Sequence, residues 1–328
     1  MEKKYDIFGL GNPLVDVIGR VDDEFISKMG LEKGIMQLID RGFQEKLLQM
    51  LEGRNLNIIS GGSASNTMIA LSHFGINSVF AGKVANDSLG RKFVSEIERA
   101  NVTSSVTCGE GDNTGTSIVL VTQDGERTMN TYLGMCRKFS IEDLDIDKLL
   151  ASRILYFTGY MWDTDAQKEA AIKALDLALE NNIDVIFDVA DPFAVSRNKD
   201  VFNDLIKKYV KIVFANEEEV KMLTGIDDPK KAALELGKHC EIAIVKLGGH
   251  GSLVVSDDRI IEIPVCKVDL KDTTGAGDMF AAGFIYGFIK GYDLEKSGKI
   301  ASFSAACVVK QLGARLDYSI KDDIEKMF

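Results

Sequence analysis

The hydrophobic residues of this chain recur with two alternating periods, which predicts strands and helices in turn. Short apolar runs typical of buried strands lie at residues 5–11, 77–82, 154–158, 184–188, 211–215 and 242–247. Amphipathic stretches with helical spacing lie between them, at residues 63–74, 87–100, 165–180, 201–209 and 229–239. This order predicts an α/β core in which a mostly parallel sheet is covered by helices on both faces.

Four further strand-like segments do not fit this repeat. They lie at residues 14–21, 34–39, 114–123 and 126–133, and the last two flank Asp124-Gly125, a typical hairpin turn. We therefore predict a small second sheet that covers part of the core. This interpretation gives a β-sheet lid of residues 12–40 and 114–133, and a core of residues 1–11, 41–113 and 134–328.

Composition restricts the kinds of partner. The 328 residues carry 39 Lys+Arg against 50 Asp+Glu, a formal net charge of −11. Proteins that bind nucleic acids contact the negatively charged phosphates with clustered Lys and Arg, so we expect no nucleic-acid partner for this acidic chain. An acidic protein binds a polyanion only through a local site of backbone N–H groups or a metal ion.

Signals for targeting and for structural metals are absent from the sequence. The N-terminal residues MEKKYDIFGLGN lack the apolar segment of a signal peptide, and the apolar run 280–289 is shorter than the roughly 20 residues that span a bilayer. The five cysteines are dispersed and form no zinc motif with the three histidines. We expect a cytoplasmic protein with reduced cysteines and no membrane partner.

Common glycine-rich phosphate loops do not occur. Residues 9–14 (GLGNPL) begin like the dinucleotide fingerprint G-x-G-x-x-G but fail at its sixth position, and Pro13 stands where the turn should lead into a helix. The P-loop pattern and the H-R-D and D-F-G motifs of protein kinases are missing as well. These absences disfavour a nicotinamide dehydrogenase and the best-known nucleotide folds.

Residues 272–278 (DTTGAGD) carry the clearest chemistry. Small residues precede an apolar run, so a helix that begins here would present free backbone N–H groups and its positive end to an anion. Asp278 lies at the same point, where a carboxylate is useful if it takes a proton from a group attacking that anion. Taken alone, an ordinary helix start with an acidic first turn explains the segment equally well.

Three other segments lie where α/β proteins bind ligands. Asn216 and Glu219 follow a predicted strand, where oxygen ligands suit Mg²⁺ on a nucleotide, although a solvated acidic helix start has the same pattern. Residues 246–251 (KLGGHG) close another strand with a flexible loop. Residues 61–66 (GGSASN) open a helix with small residues and an amide, which suits a ligand with neutral hydroxyls.

Together and in this order, these segments resemble the ribokinase-like (PfkB) family of sugar and nucleoside kinases. The resemblance rests on residues 272–278, on the Gly-Gly…Asn pattern of residues 61–66 and on the N-x-x-E pattern of residues 216–219, and it covers nearly the whole chain. It implies a three-layer Rossmann-like core with a small β-sheet lid, in agreement with the predicted strands.

The resemblance implies how a phosphoryl group would be transferred. Asp278 would be the general base for a primary hydroxyl, and the N–H groups of Gly275, Ala276 and Gly277 would stabilise the moving γ-phosphoryl group. The residues that match ATP contacts are Asn216, Glu219, Lys246, Gly248 and Gly251.

It also implies two metal cofactors. Glu219 would organise Mg²⁺ through water. Asp272 and Thr274, together with residues 305–314, match the segments that bind a monovalent cation in many members of the family, which predicts K⁺ as an optional cofactor.

On the acceptor side, the sequence looks most like adenosine kinases. The predicted substrate contacts are Asn12, Asp16, Gln37, Gly61, Gly62, Ser63 and Asn66. Among them, Asp16 would accept hydrogen bonds from ribose hydroxyls. Candidates for an apolar slot around adenine are Leu14, Leu38, Leu133, Phe157, Tyr160 and Phe193. Trp162 lies in a stretch that departs from the adenosine-kinase pattern, and it is either a stacking partner or a core residue.

The resulting prediction is an ATP-dependent phosphotransferase that acts on the 5′-hydroxyl of adenosine. Inosine, guanosine and ribose- or fructose-type sugars are alternative acceptors for the same mechanism. A non-catalytic nucleoside or sugar sensor would not need the base, the anion site and the acidic motif together. The expected partner is a small molecule, and the protein is expected to be a monomer or a homodimer.

Overall fold

The computed structural model describes residues 3–327; the terminal residues of the predicted core, 1–2 and 328, lie outside the described residues. The strands are β1 (Tyr5–Leu10), β2 (Leu14–Arg20), β3 (Met36–Leu38), β4 (Asn57–Gly61), β5 (Ser78–Ala85), β6 (Thr103–Gly109), β7 (Thr116–Val121), β8 (Arg127–Tyr132), β9 (Ser152–Thr158), β10 (Asp184–Asp188), β11 (Ile212–Asn216), β12 (Ile242–Lys246), β13 (Ser252–Ser256) and β14 (Arg259–Ile263). The α-helices are α1 (Asp23–Lys28), α2 (Arg41–Met50), α3 (Ser63–His73), α4 (Ser88–Arg99), α5 (Ile146–Leu150), α6 (Asp165–Glu180), α7 (Pro192–Tyr209), α8 (Glu217–Thr224), α9 (Pro229–Gly237), α10 (Ala276–Ile289), α11 (Leu294–Val308) and α12 (Lys321–Met327).

A nine-stranded sheet forms the middle layer of the core. Its order is β14-β13-β12-β11-β10-β9-β1-β5-β6. The strands from β12 to β6 in this order all pair in parallel, and only β13 and β14 extend the sheet in antiparallel fashion. The predicted α/β class is therefore confirmed.

The sheet is buried on both faces because its strands are mostly apolar at consecutive positions. In β9, Ile154 and Tyr156 point into one hydrophobic cluster, whereas Leu155 and Phe157 point into a second one on the opposite face. All four side chains are at most 4% exposed. A two-residue period thus divides one apolar run between two helical layers.

The second sheet is the predicted lid, and it has one more strand than the sequence pattern indicated. Its order is β3-β8-β7-β2-β4. Strand β4 was assigned to the core from the sequence, but it pairs antiparallel with β2, with Asp16 opposite Ile59. Residues 57–61, which the prediction placed in the core, therefore belong to the lid sheet.

After Asp278, helix α10 is apolar around its whole circumference, and it is buried in the core. It packs on α11 and α3. Gly283 and Gly287 allow the close approach to α11, since a Cβ on them would lie 2.7 and 2.5 Å from the hydroxyls of Ser304 and Ser297. Within residues 3–327, the structure has no helix of sufficient length and apolar character to cross a bilayer.

Candidate active site

Polar residues from several strands meet at the carboxyl edge of the large sheet. Asn12 follows β1, Thr158 ends β9, Asp188 ends β10 and Lys246 ends β12. Ligands of open α/β sheets bind at this edge. The amino-terminal ends of α3 and α10 and the inner face of the lid close the same space.

The carboxylate of Asp278 is held in place from α3. Ser63 Oγ donates to Oδ1 at 2.6 Å, and Asn66 Nδ2 donates to Oδ2 at 2.9 Å. These residues are more than 200 positions apart in the sequence. The packing of α3 on α10 therefore brings together two motifs that the sequence presented separately.

The environment of Asp278 raises its affinity for a proton. Burial raises the pKa of Asp278 to about 6, against the hydrogen bonds from Ser63 and Asn66, which lower it; the negative charge of Asp188 also raises it. A base is most effective when its pKa lies near the working pH. At neutral pH this carboxylate is mostly ionised and retains substantial affinity for a proton.

The anion loop, residues 273–277, leads directly into α10. Gly275 adopts φ +76°, and a Cβ there would lie 2.1 Å from the carbonyl oxygen of Ala314, so only glycine fits. Among the described residues, the N–H groups of Gly275 and Gly277 have no hydrogen-bond acceptor, but that of Ala276 donates to Thr273 O at 3.1 Å. Two of the three predicted donors are therefore free.

A positive charge lies beside this loop. Lys246 Nζ is 3.2 Å from Asp188 Oδ2, and it would be 3.5 Å from a Cβ on Gly277. Burial lowers the pKa of Lys246, but the charges of Asp188 and Glu219 outweigh this effect and raise it overall. Lys246 is thus a charged ammonium next to the anion loop.

The N-x-x-E motif forms the first turn of α8. Asn216 caps this helix, and Glu219 Oε2 accepts from the backbone N–H of Asn216 at 2.7 Å in a capping box. Glu219 is 1% exposed, and burial raises its pKa to about 7. Both carboxylate oxygens already have a partner in Asn216, so the donor set fits Mg²⁺ held through water rather than directly.

A cavity of about 580 Å³ opens above Asp278, between the lid and the core. Its lid side includes Leu14, Asp16, Ile18, Met36, Leu38, Val119, Met129 and Leu133, and its core side includes Asn12, Gly62, Ser63, Asn66, Thr158, Tyr160, Phe193 and Arg197. Cavities of this size bind small organic ligands. The lining is mostly apolar.

Five of the seven predicted substrate contacts line this cavity, but Gln37 does not. Its neighbours Met36 and Leu38 point inward, and Gln37 donates to Asn130 Oδ1 at 2.9 Å on the other side of the sheet. The period of two in β3 decides this orientation. Gly61 also lies outside the lining, and its missing side chain makes room for Asp16, whose Oδ2 would be 2.6 Å from a Cβ there.

Asp16 is the acidic group on the lid side of the cavity. Burial raises the pKa of Asp16 to about 6, and the charges of Arg315 and Arg127 oppose this shift. The carboxylate is therefore ionised at neutral pH and can accept hydrogen bonds from hydroxyl groups.

The aromatic candidates divide between cavity and core. Phe193 is 56% exposed and lies on the cavity wall with the guanidinium of Arg197 4.4 Å from its ring centre. Phe157, in contrast, stacks on Phe187 at 4.5 Å and contacts Trp162 within the core. Trp162 is 3% exposed, so it is a structural residue.

The residues predicted to bind K⁺ are already engaged with the lid. Asp272 Oδ2 lies 2.8 Å from Arg127 Nη1, and Thr274 Oγ1 accepts from the same nitrogen at 2.7 Å. A guanidinium is positively charged and has no acceptor, so it repels a cation at this position and cannot serve as its ligand. The residues present therefore do not fit a bound monovalent cation.

Gly248 and Gly251 form the turn between β12 and β13 and lie away from the cavity. Both have positive φ, and a Cβ on Gly251 would meet the carbonyl oxygen of Ile263 at 2.1 Å. Their described contacts account for the turn itself. Their role in nucleotide binding stays a prediction.

Several charged residues at or beside the site were missed from the sequence, among them Asp188, Arg127 and Arg315. Asp188 ends a parallel strand as Asn216 does, so the same rule of the sheet edge would have found it. Arg127 lies in the lid hairpin, and Arg315 donates to Ser60 Oγ at 3.0 Å from the segment after α11. Neither arginine has a local sequence feature that indicates its distant partner.

Known proteins of similar sequence and structure are kinases. The structure of adenosine kinase from Sinorhizobium meliloti matches with a TM-score of 0.90 and 35% identity, covering 99% of this chain and 100% of that one. An uncharacterized sugar kinase from Archaeoglobus fulgidus is 30% identical over 75% of this chain and 97% of its own length. Adenosine kinase from Saccharomyces cerevisiae is 28% identical over 93% of this chain and 94% of its own length.

The family model for pfkB family carbohydrate kinases matches residues 36–321, which include the lid strands from β3 onward, the anion loop and Asp278. The relatives above agree on phosphoryl transfer and differ in the acceptors that their names give. This chain is a kinase and belongs to the PfkB family.

Proposed function

We propose that this kinase transfers the γ-phosphoryl group of ATP to the 5′-hydroxyl of adenosine. The observation that carries the proposal is the position of Asp278, on the floor of a largely apolar cavity and at the free N-terminus of α10. A carboxylate with a raised pKa suits a hydroxyl acceptor, and an apolar cavity above it suits a purine base.

The acceptor would lie between the lid and the core. Its ribose hydroxyls would face Asp16 and Asn66, and the Oδ1 atom of Asn66 is a buried acceptor without a partner among the described residues. The base would lie farther out, against Phe193 and the lid residues Leu38 and Leu133. Stacking on an exposed aromatic ring favours a nucleoside over a bare sugar.

In the proposed reaction, Asp278 takes the proton of the attacking hydroxyl. The hydroxyl oxygen forms a bond to the γ-phosphorus while the bond from that phosphorus to the β–γ bridging oxygen breaks, which leaves ADP. Ser63 and Asn66 keep the carboxylate aimed at the hydroxyl. The free N–H groups of Gly275 and Gly277 and the ammonium of Lys246 would stabilise the negative charge on the phosphoryl oxygens.

Glu219 and Asp188 are the acidic groups that would face the waters of a nucleotide-bound Mg²⁺. When bound, Mg²⁺ neutralises charge on the phosphates of the donor. The raised pKa of Glu219, about 7, is a consequence of its burial, and a nearby divalent cation would favour its ionised form.

A panel of acceptors tests the proposal directly. Purified protein is incubated with ATP and Mg²⁺ and with adenosine, inosine, guanosine, ribose or fructose, and ADP formation is followed by a coupled assay. We expect adenosine to give the highest kcat/KM and 5′-AMP as the product. A preference for inosine or guanosine, or for ribose or fructose, would overturn the acceptor assignment but leave the proposed chemistry unchanged.

A further inference from the structure

An ion pair joins the lid to the start of the active-site loop. Arg127 is the first residue of β8, and Asp272 directly precedes the anion loop. Their side chains are only 19% and 6% exposed, and the shortest nitrogen–oxygen distance is 2.8 Å. A pair this buried is screened far less by water and salt than a surface pair.

The carboxylate oxygens of Asp272 are both engaged. Oδ1 accepts from the backbone N–H and the hydroxyl of Thr274, at 3.0 and 2.7 Å. Oδ2 accepts from the N–H of Gly313 at 2.7 Å and forms the ion pair with Arg127 Nη1 at 2.8 Å. The hydrogen bond of Arg127 Nη1 goes to Thr274 Oγ1 at 2.7 Å, so the guanidinium lies against both residues predicted to bind the cation.

The counter-charge of the Asp272 carboxylate comes from the protein itself. The described cation beside it is the guanidinium of Arg127, a side chain of the lid. Among the described residues, no cluster of acidic, cysteine and histidine side chains provides another metal site.

We propose that the guanidinium of Arg127 takes the place of a monovalent cation in this kinase, and that it fastens the lid strand β8 to the anion loop without K⁺. Thr274 belongs to the same contact, because its hydroxyl accepts from Arg127 while it donates to Asp272. The inference rests on the family assignment and on this ion pair, and it does not depend on adenosine as the acceptor.

The test compares the full-length wild type with Arg127→Met, Arg127→Lys and the control Arg99→Met, which changes an exposed arginine of α4. Each protein is dialysed free of K⁺ and measured in KCl, NaCl and choline chloride at the same ionic strength of about 0.1 M. Thermal unfolding and ²⁰⁵Tl⁺ NMR report cation binding independently of the reaction, and the kinase assay reports turnover.

For the wild type and Arg99→Met, we expect melting temperatures within about 1 °C among the three salts and no Tl⁺ binding. Arg127→Met is expected to lose activity by about tenfold or more and to gain a stabilisation specific to K⁺, because it removes the positive charge beside Asp272 and frees a lone pair of Thr274. Arg127→Lys keeps a positive charge beside Asp272, so its melting temperature should rise less with K⁺ than that of Arg127→Met.

Two results would overturn the proposal. The first is Tl⁺ binding to the wild type together with stabilisation by KCl over choline chloride, since Arg127 would then have to leave Asp272. The second is an Arg127→Met protein that folds and shows no preference for K⁺, since Arg127 would then not occupy a cation's place. Neither result depends on which acceptor the enzyme uses.

Discussion

Replacing Asp278 with asparagine should abolish turnover and at the same time stabilise the protein. The amide can keep both hydrogen bonds, because Asn66 donates to its oxygen and the Ser63 hydroxyl accepts from its nitrogen. It cannot take a proton, so kcat should fall by about 10²–10⁴-fold, the usual contribution of a general base. Binding of ATP, measured by calorimetry, should remain.

The gain in stability follows from the pKa of the buried carboxyl. A rise from 3.8 to about 6 means that the folded state prefers the protonated form by about 3 kcal/mol. Unfolding of 328 residues has an entropy of about 0.7 kcal/mol/K, so removing this cost raises the melting temperature by about 4 °C. This is an upper limit, because the amide must itself be buried.

The sign of the pH dependence separates this effect from better packing. Because the folded-state pKa is raised, the stability that protonated Asp278 contributes is complete below 3.8 and is lost as the pH rises through about 6. The free energy of unfolding of the variant should therefore rise relative to that of the wild type between pH 3.8 and about 6. Above about pH 6 the difference should stay constant. Asp204→Asn, at an exposed position of α7, is the matched control and should show no such trend.

Thermal melts at about pH 5 and about pH 8 decide the matter. A variant that melts no higher than the wild type at the upper pH, or by the same margin at both, would refute the argument from burial. A variant with turnover within a few-fold of the wild type would refute the assignment of Asp278 as the base.

The other predictions concern the surroundings of this carboxylate. Lys246→Met should destabilise the protein by about 3–5 kcal/mol, because it leaves the buried charge of Asp188, whose side chain is 4% exposed, without its partner. In denaturant unfolding, the double variant with Asp188→Leu should recover most of this loss. No recovery would contradict the pairing. Asp16→Asn should raise KM for the nucleoside. In the pH profile of kcat/KM, the fall on the acidic side near pH 6 should become less steep, because one of two groups with a raised pKa is removed. An unchanged pH profile would place Asp16 outside the acceptor site. Phe193→Ala should raise KM for adenosine by about tenfold and leave KM for ATP nearly unchanged. Trp162→Phe should instead lower the melting temperature without changing either KM. If the two variants changed KM for adenosine equally, Phe193 would not contact the base.

Much of the core could be predicted because its sequence pattern is local. The apolar run of β9 and the amphipathic period of α6 depend only on which neighbours each residue buries, and both elements form as expected. The anion loop is equally local: small residues before an apolar run indicate a helix that begins with free N–H groups, and α10 begins there.

The lid was predicted less completely because strand pairing is long-range. Strand β4 has no signal that distinguishes a lid strand from a core strand, and only its pairing with β2 assigns it. Gln37 was expected in the site from the resemblance to adenosine kinases. A strand exposes alternate residues to opposite faces, however, and in β3 Met36 and Leu38 face the cavity instead.

By itself, then, the sequence determined the α/β class and the presence of a second, smaller sheet, and it predicted Asp278 as the base. Those conclusions follow from periodicity and from short motifs, which the chain carries within a few residues. Only the tertiary structure decided three contacts of the site. Ser63 and Asn66 donate hydrogen bonds to Asp278, Lys246 pairs with Asp188, and Arg127 forms an ion pair with Asp272. Each of these contacts joins segments far apart in the chain, and its energy depends on burial, which no local pattern specifies.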